Sequence, residues 1–178
     1  CIRNIWTIWN KRGAKNMIFV VCGTQKFPLN RLLRAIDKLV AKGKIQEEVF
    51  IQKGYSDYHL KHCRSVDFLD VMSFDDKIKR CSLLITHGGI GTILAGKKFE
   101  KPILVFPRLK KYGEHVDDHQ RQIAHNFASN NMVLMCEDTV DLEECIEKCR
   151  KYKFRNIAQN ERGKYLEEVI TKYIEKNL

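Results

Sequence analysis

The run Thr86-His87-Gly88-Gly89-Ile90-Gly91-Thr92 holds the residue types best suited to chemistry in this chain. Gly88, Gly89 and Gly91 carry no Cβ, so the backbone there can turn sharply and approach a ligand closely. A helix-like apolar piece follows over residues 93–99. A helix starting at the glycines offers unpaired N–H groups and the positive end of its dipole, which suits a phosphate. Thr92 adds a hydroxyl donor, and His87 a donor just before the turn. The spacing is neither the dinucleotide G-x-G-x-x-G nor a Walker loop, since no Lys-Ser/Thr pair follows the glycines. A strand-to-helix turn with no ligand satisfies the same glycines.

The elements that must position this run alternate between strand and helix. Residues 82–86 form a short apolar run suited to a buried strand, and Lys101-Pro102 ends the helix and opens a second strand over 103–107. The polar cluster 114–120 starts another helix. Upstream, residues 17–22 read as a strand that is apolar on both faces, ending at the turn Gly23-Thr24-Gln25. Residues 29–42 form an amphipathic helix with Leu32, Leu33, Ile36 and Leu39 on one side. Strands are expected at 48–52, 66–69 and 132–136, and helices at 74–80, 141–152 and 160–178. The alternation calls for a parallel sheet in a single Rossmann-like, doubly wound α/β fold. Ligands of such sheets sit at the carboxyl ends of the strands, so Thr24 faces the same crevice as residues 88–92. Gln25 and Gln52 are polar residues at strand ends with no assigned part.

The chain has 178 residues and 44% apolar content, enough for one well-buried core. Its net charge of +10 suggests an anionic partner: nucleic acid, an acidic membrane face or an acidic protein surface. The basic residues are scattered and no aromatic-interleaved RNA-binding motif accompanies them, so nucleic acid is not expected. Seven cysteines without a C-x-x-C pair fit a reducing cytosol, with Cys22, Cys81 and Cys136 as small buried hydrophobes. No apolar run approaches the ~20 residues that span a bilayer. His115, His119, His59, His62 and Cys63 lack a recognised ligand spacing, so no metal site is expected. Residues 1–16 have no clear period and read as a non-native leader or a flexible arm. A single Rossmann-like domain would occupy 17–156, and 157–178 a C-terminal amphipathic helix.

Taken in order, Thr86 to Thr92, Lys101-Pro102, Pro107 and Asp118-His119-Gln120 resemble the donor-binding half of the GT-B glycosyltransferases related to MurG. The likeness is closest to small stand-alone versions, the bacterial PssE-type polysaccharide subunits and the donor-binding subunit of the eukaryotic dolichol-linked UDP-GlcNAc transferase. The run from Pro107 to His115 resembles the bacterial branch most. The resemblance implies that Gly88, Gly89, Gly91 and Thr92 hold the donor diphosphate. It places His87 against that group as the leaving-group stabiliser, and Thr24 near the phosphates. Phe68 and Leu69 fall where the backbone meets the uracil, Asp118 and Gln120 where the sugar hydroxyls are held. The family's usual ribose-binding acid, three residues after Thr92, is replaced by Ala95.

The resemblance further implies an inverting glycosyl transfer from a UDP donor that needs no cofactor or metal. Fixed N–H donors and a helix dipole stabilise the charge on the departing diphosphate without reorganising. The acceptor would be a lipid-linked saccharide in exopolysaccharide or capsule synthesis. A membrane-anchored, acceptor-binding subunit would supply the general base, and the chain would sit through it at the inner membrane face. Galactose, glucuronic acid and N-acetylglucosamine all fit as the sugar, with galactose favoured by the bacterial character of the central loop. The alternative is a non-catalytic nucleotide-sugar-binding subunit that regulates such an enzyme.

Overall fold

A computed structural model describes residues 17–154. The expected leader at 1–16 and the C-terminal helix at 157–178 lie outside the described residues. The order is β1 (Met17–Val21), α1 (Asn30–Ala41), β2 (Glu48–Gln52), β3 (Arg64–Val66), α2 (Val71–Arg80) and β4 (Cys81–Thr86). It continues with α3 (Ile90–Lys98), β5 (Ile103–Val105), a 3-10 turn (Lys110–Tyr112), α4 (His119–Ser129), β6 (Leu134–Met135) and α5 (Leu142–Lys151). The six strands form one parallel sheet in the order β3-β2-β1-β4-β5-β6. This is the doubly wound order whose direction reverses between β1 and β4, where a crevice opens at the carboxyl ends.

The near-continuous apolar strands follow from a sheet covered on both sides. Ile18, Val20 and Cys22 of the first strand run face one core with Leu83, Ile85, Leu104 and Phe106. Leu32, Leu33 and Ile36 of α1 and Leu142, Ile146 and Cys149 of α5 close that core. Phe19 and Val21 point the other way, with Leu84, Ile103 and Val105, against Ile78 of α2, Ile93 of α3 and Phe127 of α4. Gly96 lets α3 lie close to the sheet, since a Cβ there would stand 2.7 Å from Leu84 and 2.8 Å from Ile103. Burial pushes the Cys22 thiol up to about 12 and that of Cys81 to about 11, which makes both poor nucleophiles.

Two expected elements differ from the observed ones. The third strand is Arg64–Val66 rather than 66–69, because the amides of Lys53 and Gly54 bond the carbonyls of Val66 and Asp67 and end the pairing there. Asp70 then accepts from the Ser73 amide and caps α2, so Phe68 and Leu69 lie on the sheet's carboxyl edge. The helix expected at 114 starts at His119 instead. Gly113 turns left-handed at φ 68°, and the Glu114 carboxylate is used by Arg31 and the Leu109 amide. Asp117 accepts from the His119 amide at 3.1 Å and sets the first turn only there.

The long β2–β3 connection is tied to α1 by a buried carboxylate. Asp37 accepts from the amides of Lys61 and His62 and from the Tyr58 hydroxyl. Removing it leaves these part-buried donors without their acceptor, and hydrogen bonds to a charged group each contribute about 1.5–3 kcal/mol. Asp37→Ala should therefore lower unfolding free energy by roughly 2 kcal/mol in urea melts, with Asp37→Asn recovering part of the loss.

Candidate functional site

The site grows from the ends of β1 and β4, which pair directly with Val21 opposite Thr86. Each strand runs into a left-handed glycine, Gly23 at φ 85° and Gly88 at φ 96°. The His87 ring fills the space between the two turns. A Cβ on Gly23 or on Gly89 would stand 2.5 Å from His87 Nε2, so both positions need glycine for the ring to fit. Val21 O can only accept, so the 3.3 Å contact is met by the tautomer with its proton on His87 Nδ1, which also lies 3.4 Å from Thr86 Oγ1. Burial, then the positive charge of Arg108, pushes the imidazole down to about 4. At neutral pH the ring is uncharged and its one N–H is committed to Val21.

Beyond the ring, Gly89 is the N-cap of α3 and brings no side-chain acceptor. Ile90, Gly91 and Thr92 form the first turn, where helical amides lack intrahelical partners. Gly91 is exposed, and nothing lies within 4 Å of where its Cβ would be. Gly88 is buried against α4, where a Cβ would meet the Gln120 carbonyl at 3.2 Å. This arrangement offers fixed donors to an anion, with a helix dipole behind them.

Thr24 is exposed on the turn after β1. Phe68 is 46% exposed and stands edge-on to Tyr55 at 5.3 Å. Gly54 brings this pair to the site, since its Cβ position lies 2.3 Å from the Gly23 carbonyl. The Leu69 amide is taken by Gln52 Oε1 at 3.1 Å. Asp118 is exposed and accepts from the Lys110 amide at 2.9 Å, which closes the 110–118 loop. Gln120 is buried, with Oε1 accepting from the Arg108 amide at 3.4 Å. The residues foreseen from the sequence therefore gather along one sheet edge, although Leu69 and Asp118 have part of their polar capacity already engaged. Ala95, at the position of the family's ribose acid, packs against the core beneath α3.

Several contributors were not singled out beforehand. Gln52 and Gln25 serve as props, the latter through Oε1 accepting from His115 Nε2 at 2.9 Å. Arg31 forks onto Glu114 and donates to the carbonyls of Pro107 and Glu137. Its guanidinium lies 4.3 Å over Phe106 and 4.6 Å over Tyr112. Arg108 is fully buried behind Gly23. A proline-arginine pair directly after an apolar strand was the signal available for it. Among the described residues, no three of His, Cys, Asp and Glu converge as metal ligands. No described helix is long and apolar enough to cross a membrane. A groove of about 750 Å³ lies far from this edge, at the start of β2, lined by charged residues including Glu47, Arg64 and Arg150.

This sheet order with helices on both faces is the Rossmann-like half of a GT-B fold. Residues 17–176 match the glycosyltransferase family 28 C-terminal domain, and the chain belongs to that family. No curated protein matches it. Among solved structures it is similar to the calicheamicin glycosyltransferase CalG4, at 13% identity and TM-score 0.60 over 92% of this chain and 40% of that one. Os79 of O. sativa, solved in complex with UDP, matches at 16% identity and TM-score 0.58, over 96% and 38%. MurG of Acinetobacter baumannii matches at 17% and 0.53, over 82% and 45%. The chain thus spans about two fifths of the length of these structures.

Proposed function

We propose that this chain is the donor-binding, catalytic subunit of an inverting glycosyltransferase that takes its sugar from a UDP donor. The observation that carries the reading is the uncapped first turn of α3 at the β1/β4 switch point, lined by glycines and backed by His87. Gly88, Gly89, Gly91 and Thr92 hold the diphosphate, with Thr24 across the crevice. Phe68 and Leu69 border the uracil, with the Tyr55–Phe68 edge as an apolar wall. Asp118 and Gln120 meet the sugar hydroxyls. As the C1–O bond to the diphosphate breaks, negative charge grows on the leaving oxygen, and fixed amides stabilise it most where water is excluded.

His87 serves this step by shape. It spaces the two glycine turns and aims the helix end between them. The attacking hydroxyl loses its proton to a general base, and in this reading that base belongs to a separate membrane-anchored subunit that binds a lipid-linked saccharide. The run from Pro107 to His115 resembles PssE-type subunits of exopolysaccharide and capsule synthesis, which supports this reading. The positive charge of +10 suits an anionic membrane face or an acidic partner.

Co-expression with the product of the adjacent open reading frame tests this directly, with transfer to a prenyl-diphosphate sugar as the assay. Activity is expected from the pair, at least ten times that of either chain alone, and its loss is expected with Gly91→Asp. A pair that binds UDP yet transfers from none of UDP-galactose, UDP-glucuronic acid or UDP-N-acetylglucosamine would contradict the catalytic assignment.

A further inference from the structure

Arg108 and Arg31 are neighbours with opposite accounts. Arg31 is matched by an acid, forking onto Glu114 at 2.9 and 3.0 Å, and donates to two carbonyls besides. Arg108 is the largest fully buried side chain among the described residues. Its Nη2 donates to the carbonyls of Cys22 and Phe27, at 2.5 and 2.7 Å. Nε and Nη1 have no hydrogen-bond partner. The carboxylate acting on it, Glu114, is already engaged by Arg31 and the Leu109 amide. A buried guanidinium needs a counter-charge and full hydrogen bonding to be tolerated. A purely structural arginine would resemble Arg31.

The position of Arg108 shows what it serves. Cys22 and Phe27 are the two ends of the turn that carries exposed Thr24. Gly23, next to Cys22, and Gly89 leave the space that the His87 ring fills. The Arg108 amide holds Gln120, whose backbone packs on Gly88. The guanidinium therefore sits beneath the first glycine turn, its charge reaches the His87 ring, and its backbone ties to the residue packed on the second turn.

We propose that Arg108 is the positioning residue of the phosphate site: it staples the Gly23–Phe27 turn from beneath, and its unneutralised charge is the one a bound diphosphate neutralises. The inference rests on the donor-site reading above and adds the residue that makes the site prefer a diphosphate over a bare nucleoside.

Calorimetric affinities for UDP and for uridine, in wild type, Arg108→Lys and Arg108→Met, test it. Arg108→Met is expected to lose at least tenfold for UDP and less than twofold for uridine. Arg108→Lys should fall between wild type and Arg108→Met for UDP, because a buried ammonium keeps less of its charge and lacks the planar fork. Wild type that binds UDP while the Met variant keeps the same UDP-to-uridine ratio overturns the inference and leaves the donor site standing. Wild type that binds no UDP overturns the donor site itself. Should Arg108→Met fail to fold, the wild-type Arg108 Nε–H resonance decides: saturation with UDP should shift it and uridine should not. A resonance unmoved by saturating UDP, or moved equally by uridine, overturns the inference.

Discussion

Gly91→Asp should weaken UDP binding by at least ~100-fold and leave stability unchanged or slightly raised, since two like charges ~4 Å apart repel by about 4 kcal/mol at a surface-like dielectric. The folded chain accommodates the new side chain easily. Gly91 is exposed, lies within α3, and has nothing within 4 Å of its Cβ position. An acid in the first turn of a helix is favourable, by about 0.3–1 kcal/mol. The same dipole that welcomes the aspartate welcomes the diphosphate, so the two compete for one set of amides. Calorimetry with UDP and urea melts of the same preparations check both halves. Unchanged affinity would place the phosphates elsewhere. Gly89→Ala is a poorer probe, because its methyl would strike the His87 ring and confound binding with folding.

Acid should destabilise the protein through His87 by roughly 3 kcal/mol, because folding takes its imidazole from 6.5 down to about 4 and each unit corresponds to 1.36 kcal/mol. The sign follows from which state binds the proton more readily. Below pH 6.5 the unfolded chain takes up a proton that the folded chain refuses, so stability falls as pH drops. The loss runs from pH 6.5 to about 4 and is complete once the folded ring also titrates. Urea melts across that window should slope less in His87→Gln than in wild type, and the difference between the two isolates this ring from the carboxylates. Parallel slopes would mean that His87 is solvated in the native protein.

Much of this was legible in the sequence for physical reasons. The β2 strand and the α1 stripe show clear burial patterns, and the alternation of elements forces a parallel sheet with one switch point. The glycine run announced itself because few needs other than a tight approach justify three glycines about the start of one helix. The third strand was placed too late because Phe68 and Leu69 are apolar, yet the strand ends at Val66, Phe68 lies exposed against Tyr55 and Leu69 packs on the core. The 114–118 acids looked like a helix start, but their carboxylates serve Arg31, the Leu109 and Lys110 amides, His115 and the His119 amide instead. Arg108 was hidden by a deeper limit. Basic residues are normally exposed, and only the tertiary contacts of Cys22 and Phe27 show that this one is inside. The fit of His87 between Gly23 and Gly89 likewise joins residues distant in the chain, and no local pattern encodes it.

The most direct measurement of the donor cradle is a titration of the 15N-labelled chain with UDP, followed through its amide resonances. Saturable shifts should centre on Gly88 to Thr92, with smaller ones at Thr24 and Phe68. Saturable binding whose shifts avoid the start of α3 and map instead to the groove beside Lys44, Arg64 and Arg150 would contradict the account.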